Sequence, residues 1–182
     1  MTNRTPLLAF LVLTAMPLQA QSRRVEVAIG AIRPTGDLAP YRNVGPTARI
    51  GVVFSDSTRR WRLRLDGEAI RMPGRAPGNI PPAARGDFRA LGAFASMLVG
   101  PAWRAVAPYL IAGAGLQMPS VPGEANPYGS VFGTRWGAGI RFDAGRYRLA
   151  VEVLNHTVWT DYGTTEEFGR GGYRPITLSV QF

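Results

Sequence analysis

The 182-residue sequence contains no cysteine and no lysine, and it contains a single histidine. Without cysteine, a disulfide framework, a cysteine-ligated zinc site and an iron–sulfur cluster are all excluded. The sequence also lacks a Walker loop, a dinucleotide fingerprint in a βαβ setting and a His/Asp cluster at metal-ligand spacing. We therefore predict no cofactor and no bound metal.

The chain is poorly suited to long helices, because it carries 22 glycines and 15 prolines, about a fifth of its residues. Two uncharged stretches, 90–103 and 105–123, resemble a transmembrane hairpin at first sight. The first is too short to cross a bilayer as a helix, and the second is interrupted by Pro108, Pro119 and Pro122. The length favours one domain, and the composition favours strands and loops.

Basic residues outnumber acidic ones by 21 to 12, which gives a net charge of +9. Such an excess raises the question of a nucleic-acid partner. Every one of these basic residues is arginine, however, and this uniformity is typical of a base-composition bias in the coding sequence. Charge alone therefore does not define the function.

The N-terminus has the pattern of a secretory signal peptide. A polar start with Arg4 is followed by the apolar run Leu7–Met16, and the segment ends on the small residue Ala20. The run is shorter than the ~20 residues that a retained membrane helix needs. We predict a signal peptide over residues 1–20 and a mature chain over 21–182, which makes a cytoplasmic nucleic-acid partner implausible.

The mature chain divides into eight segments with period-two patterning, and most have the length that a tilted membrane-spanning strand requires. The connections between them alternate between long, Pro- and Gly-rich loops and short turns, as expected in an outer-membrane barrel. This pattern predicts an all-β fold, an eight-stranded antiparallel up-and-down transmembrane barrel, with long loops extracellular and both mature ends periplasmic. The predicted strands are Arg24–Arg33, Thr47–Ser55, Arg60–Ile70, Phe88–Val99, Pro108–Met118, Ser130–Phe142, Arg146–His156 and Arg174–Phe182.

The third segment shows the alternation most clearly. Trp61, Leu63 and Leu65 lie on one face, and Arg62, Arg64, Asp66 and Glu68 lie on the other. In the seventh segment Leu154 breaks the alternation, and the fourth and fifth segments are apolar on both faces. A secreted lipocalin-like barrel would alternate in the same way with the opposite polarity, so periodicity alone does not separate the two.

Three features favour the membrane barrel. Aromatic residues cluster near predicted strand ends, as in interfacial girdles, with Tyr109 and Tyr173 among them. One face is rich in Arg and Gly, which suits a narrow polar lumen. The last segment alternates apolar residues up to the terminal phenylalanine, and we interpret this as an assembly signal for the outer-membrane insertion machinery. Its residues are Ile176, Leu178, Val180 and Phe182.

Several stretches resemble small outer-membrane β-barrel proteins of the OmpA/OmpX-like class. They are residues 30–37, 108–115 and 148–152, with the sequences GAIRPTGD, PYLIAGAG and RLAVE. The resemblance covers nearly the whole mature chain and implies the outer-membrane β-barrel domain rather than any activity. Because the given chain ends at Phe182, the peptidoglycan-binding domain of the two-domain members is not expected.

The inward face is expected to carry an ionic network that fills the lumen and fixes the strand register. A narrow ion or solute channel is the alternative. Arginines exceed acids in this set, so the surplus is expected near a wet mouth or at an anion. The network residues are Arg62, Arg64, Asp66, Glu68, Arg135, Arg141, Arg148 and Glu152, accompanied by Arg24, Glu26, Arg49 and Arg60.

His156 raises an enzymatic alternative, because lipid A deacylases and palmitoyltransferases of similar size use a His and a Ser near the barrel rim. The position two residues after His156, where the deacylase pattern has Ser, holds Val158, and Ser120 and Ser130 are distant in sequence. We therefore predict no catalytic residues and a structural or surface-interaction role. The expected partners are outer-membrane lipid, lipopolysaccharide at the basic loop 71–87 and the insertion machinery, and the expected state is a monomer.

Overall fold

The chain forms a closed eight-stranded barrel in a computed structural model that describes residues 22–36, 38–55, 60–75, 86–101, 105–120, 129–159 and 170–182. Every strand pairs antiparallel with its neighbours in sequence, and β1 pairs with β8 to close the barrel. The strands are β1 Ser22–Gly36, β2 Gly45–Ser55, β3 Trp61–Met72, β4 Phe88–Val99, β5 Val106–Ser120, β6 Val131–Ala144, β7 Tyr147–Trp159 and β8 Arg170–Gln181.

The two ends of the barrel differ. One end, here called the turn end, carries the connections 56–60, 100–105 and 145–146 and the two ends of the barrel chain, Ser22 and Phe182. The opposite end, here called the loop end, carries the four longer connections 37–44, 73–87, 121–130 and 160–169. At the turn end, Val25 and Phe182 exchange two backbone hydrogen bonds of 3.1 Å, so the pairing of β1 with the C-terminus continues to the last residue.

The eight predicted strands are confirmed in number, order and approximate position. Several strands are longer than predicted, mainly toward the loop end, where β1 extends to Gly36 and β5 to Ser120. Their extra residues include Pro34, Gly36 and Pro119, which discourage a strand assignment from sequence. Ladder pairing with the neighbouring strand overrides this local preference, since Pro34 faces Tyr173 and Pro119 faces Ala90.

The outward face of the barrel is apolar and the inward face is rich in charge. Leu110, Ile29 and Ile50 are 66%, 64% and 62% exposed, whereas Arg64 and Glu152 are fully buried inside. A lipocalin would show the opposite arrangement, because its apolar side chains fill the interior. An exterior of this composition matches hydrocarbon rather than water, which favours the membrane barrel.

The ambiguity of the fourth and fifth segments has a structural cause. Leu98, Tyr109, Ile111 and Leu154 all point inward, where they form an apolar cluster against Ala150. Part of the lumen is therefore lined by apolar side chains, so β4 and β5 are apolar on both faces. Leu154 breaks the alternation of β7 because it packs into the same inward cluster.

The predicted aromatic girdle is partly wrong. Tyr109 and Tyr173 are 4% and 1% exposed and lie inside the lumen rather than at a lipid interface. Phe142, Tyr147 and Phe182 do face outward near the turn end, as predicted. The prediction counts aromatic residues near strand ends without regard to the face on which each lies. It therefore includes tyrosines that point into the lumen.

The tightest turn joins β6 to β7, where Ala144 pairs with Tyr147 and Gly145 has a φ of 64°. Glycine adopts this left-handed conformation without steric cost, which explains its place in so short a connection. Within the described ranges no helix is long and apolar enough to cross a membrane. The predicted signal peptide lies outside the described residues.

Candidate functional site: the ionic network of the lumen

The centre of the lumen holds two glutamates and two arginines that bridge distant strands. Arg49 on β2 donates to Glu152 on β7 at 2.6 Å and to Glu26 on β1 at 2.8 Å. Arg64 on β3 donates to the same two carboxylates at 2.7 and 3.1 Å. All four side chains are at most 1% exposed, and β3 and β7 lie on opposite sides of the barrel. The network therefore crosses the lumen and ties its walls together.

Tyr109 completes the coordination of Glu152 from β5. Its hydroxyl donates to the Oε1 atom of Glu152 at 2.6 Å. Gly139 on β6 makes room for this contact, because a Cβ at that position would lie 2.6 Å from the tyrosine ring. A side chain at position 139 would displace Tyr109, so the glycine is required by packing rather than by backbone conformation.

A second ion pair lies nearer the loop end. Arg135 on β6 forms a two-armed contact with the Asp66 carboxylate on β3, and one arm measures 2.8 Å. The Arg135 Nε atom donates to Ser96 on β4 at 2.7 Å, and its guanidinium lies over the Phe94 ring, 4.6 Å from the centroid. Asp66 also approaches Arg64 at 3.2 Å. Asp66 thus connects this pair to the central network.

His156 and Glu68 form the next layer toward the loop end. The Nε2 atom of His156 is 3.7 Å from Glu68 Oε2, too long for a hydrogen bond. The imidazole stacks on Tyr173 with 4.6 Å between centroids and meets the edge of Phe94. Neither ring nitrogen has a hydrogen-bond partner among the described residues. A serine–histidine pair of the hydrolase type is therefore not formed in this part of the chain.

The surplus arginines gather at the turn end of the lumen. Arg141 and Arg148 both approach Asp143, at 3.2 and 3.3 Å. Arg62 lies over the Tyr109 ring, 5.0 Å from its centroid. Three arginines here accompany one described carboxylate, Asp143, whereas the centre of the lumen is close to electrically balanced. This position agrees with the expectation that the excess charge lies near a mouth.

The loop end of the lumen holds a buried hydrophobic cluster, here called the apolar cap. It includes Leu38, which reaches into the barrel from the β1–β2 connection. That connection is fixed to the β3–β4 connection, since Asn43 N donates to Pro73 O at 2.9 Å and Arg42 donates to Gly86 O at 2.7 Å. The cap residues are Ile32, Leu38, Ile70, Met72, Ala90, Val131, Val158 and Tyr173.

The structure brings Arg64, Asp66, Arg135 and Glu152 into one network. Glu68 lies beside it, and Arg62, Arg141 and Arg148 lie apart at the turn end. Of the residues predicted to form an assembly signal, Ile176, Leu178 and Phe182 face outward with about half of each side chain exposed, and Val180 is half-buried. Their recognition by an insertion machinery stays a prediction.

Sequence reasoning missed the neutral partners of the network. Tyr109, Gln117 and Gln181 donate hydrogen bonds to Glu152, Tyr173 and Glu26 respectively. Gln181 was detectable, because it lies on the inward parity of a strand whose other face is apolar. Tyr109 and Gln117 were not, because β5 is apolar on both faces and its orientation could not be assigned.

Comparisons with solved structures agree with the architecture. Neisserial surface protein A superposes with a TM-score of 0.66 at 16% identity, covering 90% of this chain and 98% of that one. The outer-membrane enzyme PagL gives 0.50 at 20% identity, with coverage of 87% and 98%. A major outer-membrane protein from Thermus thermophilus gives 0.50 at 12% identity, with coverage of 88% and 98%.

No family model and no curated protein sequence matches the chain. At these identities the structural likeness establishes the fold. The chain is an eight-stranded barrel of the outer-membrane type whose lumen is filled by side chains.

Proposed function

We propose that the protein is an integral outer-membrane barrel with a structural or surface-interaction role, and that its lumen carries neither solutes nor chemistry. The observation that supports this best is what occupies the lumen. A buried ionic network lies at its centre, and the apolar cap lies at its loop end. An eight-stranded barrel leaves an interior just wide enough for side chains. The function then belongs to the exterior and to the loops.

We also propose that the loop end faces the cell exterior and that both mature termini are periplasmic. All four long connections lie at the same end of the barrel, and the short turns and chain termini share the other. Outer-membrane barrels place short turns in the periplasm. Because the strands close on themselves without a free edge, the barrel is proposed to be a monomer.

The absence of cysteine allows a direct test of this orientation. An Ala39→Cys variant in the β1–β2 connection is expected to react with a membrane-impermeant maleimide on intact cells. An Ala144→Cys variant at the β6–β7 turn is the matched control, since both alanines are exposed. It is expected to react only after the outer membrane is permeabilised. The opposite labelling pattern would refute the orientation, and labelling of a soluble periplasmic form would refute the membrane location.

The proposed lack of enzymatic activity rests on the surroundings of His156. Its imidazole is buried among Phe94, Tyr173 and Glu68 inside the lumen, away from the outward face that contacts lipid. A lipid-modifying enzyme of this type needs a nucleophile within hydrogen-bond reach of its base.

Lipid A from cells that express the wild-type protein, its His156→Gln variant or an empty vector is expected to give the same mass spectrum. A loss or gain of an acyl chain in the wild-type strain that disappears in the His156→Gln strain would establish the enzymatic alternative.

A further inference from the structure

Four outward-facing arginines form a belt around part of the barrel near the loop end. The residues of this arginine belt are Arg33, Arg71, Arg89 and Arg174, and all four are exposed. In the strand register Arg33 pairs directly with Arg174, and Arg71 pairs directly with Arg89. Like charges placed opposite each other on neighbouring strands repel and destabilise a sheet. Two such pairs on one face form a cationic surface that an external anion would stabilise.

Among the described residues, one carboxylate lies close enough to the belt to offset its positive charge. Arg71 contacts Asp87 at 2.6 Å, and Arg174 donates to the neutral Asn155 side chain at 2.9 Å. The hydrogen bond from Arg71 lowers the pKa of Asp87, which therefore remains ionised at neutral pH. Four guanidinium groups and one carboxylate leave a surplus of three positive charges in the part of the belt that the structure describes.

The two arginine pairs lie within two residues of each other in the strand register. On β1, Ala31 pairs with Pro46 of β2, and Arg71 of β3 follows Ile70, the partner of Thr47. Arg33 and Arg71 are thus separated laterally by the single strand β2, about 10 Å in a sheet, and by two residues along the strand, about 7 Å. Their spacing suits two anionic groups held on one rigid headgroup.

A shallow depression of about 860 Å³ lies on the outer surface beside the belt, and Arg71 forms part of its edge. Its lining includes the small residues Ala48 and Ala69, and Ile29, Ile176 and Leu178 contribute larger apolar side chains. This lining is suited to a hydrocarbon chain. Because Arg71 belongs to both the depression and the belt, the apolar surface adjoins a cationic one.

We propose that the arginine belt and this depression together bind a phosphorylated glycolipid of the leaflet around the loop end, with two phosphates on the arginine pairs and an acyl chain on the apolar surface. Arginine binds phosphate through two parallel hydrogen bonds, and two adjacent arginines surround a phosphate more fully than one. A headgroup with a single phosphate would contact one pair and leave the other without an external anion. The proposal deepens the proposed surface-interaction role by naming a ligand class.

The test uses the purified barrel in neutral detergent, with binding measured by native mass spectrometry. Bisphosphorylated lipid A is the probe, and its monophosphorylated form and phosphatidylglycerol are compared with it. Wild-type protein is expected to prefer the bisphosphorylated lipid. The Arg33→Gln/Arg174→Gln variant and the Arg71→Gln/Arg89→Gln variant are each expected to bind it about thirtyfold more weakly, since each arginine near a lipid surface contributes about 1 kcal/mol.

An Arg23→Gln/Arg146→Gln variant is the matched control, because it removes the same charge from two exposed arginines at the turn end. It is expected to bind within about twofold of wild type. Ala48→Phe, which fills the depression without changing charge, is expected to weaken binding as well. Folding of every variant is checked by its heat-modifiable migration on gels.

Equal binding of all three lipids, or an equal loss in the belt variants and the control, would overturn the inference. This result is independent of the cysteine-labelling experiment. If the lipid does not bind but the cysteine variants label as expected, the lipid-binding proposal alone is refuted. If the labelling pattern is reversed, the proposed orientation is refuted.

Discussion

Replacing Glu152 with glutamine is expected to lower the free energy of unfolding of the barrel by about 3–5 kcal/mol. Glu152 accepts hydrogen bonds from Arg49, Arg64 and Tyr109 in a region with no exposure to solvent. Its neutral replacement keeps the volume but leaves Arg49 with Glu26 as its one remaining described carboxylate contact, and Arg64 with the longer contacts to Glu26 and Asp66. An uncompensated buried charge is far more costly than the loss of one hydrogen bond.

Unfolding by guanidinium chloride in phospholipid vesicles, followed by tryptophan fluorescence, measures this change. Asp87→Asn is the matched control, because it removes the same charge from the exposed ion pair with Arg71. No measurable change in stability is expected there, since exposed pairs contribute little. If Glu152→Gln proved as harmless as Asp87→Asn, the central network would not be what stabilises the barrel.

The strand count, the order of the strands and the inward position of most charged residues could be predicted from the sequence. Alternation in β3 is strict enough that Arg62, Arg64, Asp66 and Glu68 all lie on the inward face as expected. The reason is physical: lipid outside and a narrow polar lumen inside impose opposite requirements on alternate residues. Where both requirements hold along a whole strand, the sequence determines the face.

The predictions failed where the lumen itself is apolar. Leu98, Ile111 and Leu154 pack together inside the barrel, so β4 and β5 lose the contrast that identifies a face. A count of aromatic residues near strand ends places Tyr109 and Tyr173 at the lipid interface, because it ignores the face on which each lies, whereas both are buried in the lumen. The partners within the network were also unpredictable, because a contact such as Arg49 to Glu152 depends on how the barrel closes around β8 and β1.

Many of the described arginines, whose excess first raises the question of nucleic acid, fall into three structural groups. Some arginines are paired inside the lumen, as Arg49, Arg64 and Arg135 are. Others gather at the turn end around Asp143, and four form the outward belt near the loop end. The first group is explained by its carboxylate partners. The belt adjoins the apolar depression that Arg71 helps to line, so an external anion carrying a hydrocarbon chain is best sought there.

The pair formed by Asp66 and Arg135 is expected to show strong energetic coupling. Asp66→Asn should cost about 3–5 kcal/mol in the free energy of unfolding, because Arg135 then keeps Ser96 and the Phe94 ring but no direct carboxylate contact among the described residues. Arg135→Met should cost less, because Asp66 retains Arg64 at 3.2 Å. The double variant is expected to be less destabilised than the sum of the two, with a coupling energy of about 1–3 kcal/mol.

A second cycle supplies the control for this coupling. Asp143 lies on the same strand as Arg135, eight residues further along and about 26 Å away. The effects of Asp143→Asn and Arg135→Met should add within about 0.5 kcal/mol, since they share no partner. Additivity in both cycles would mean that Asp66 and Arg135 do not act as a pair. Coupling between Asp66 and Arg135, together with additivity between Asp143 and Arg135, would show that specific charge pairs across the barrel stabilise the lumen. If polar side chains merely filled space, the effects would be additive in both cycles.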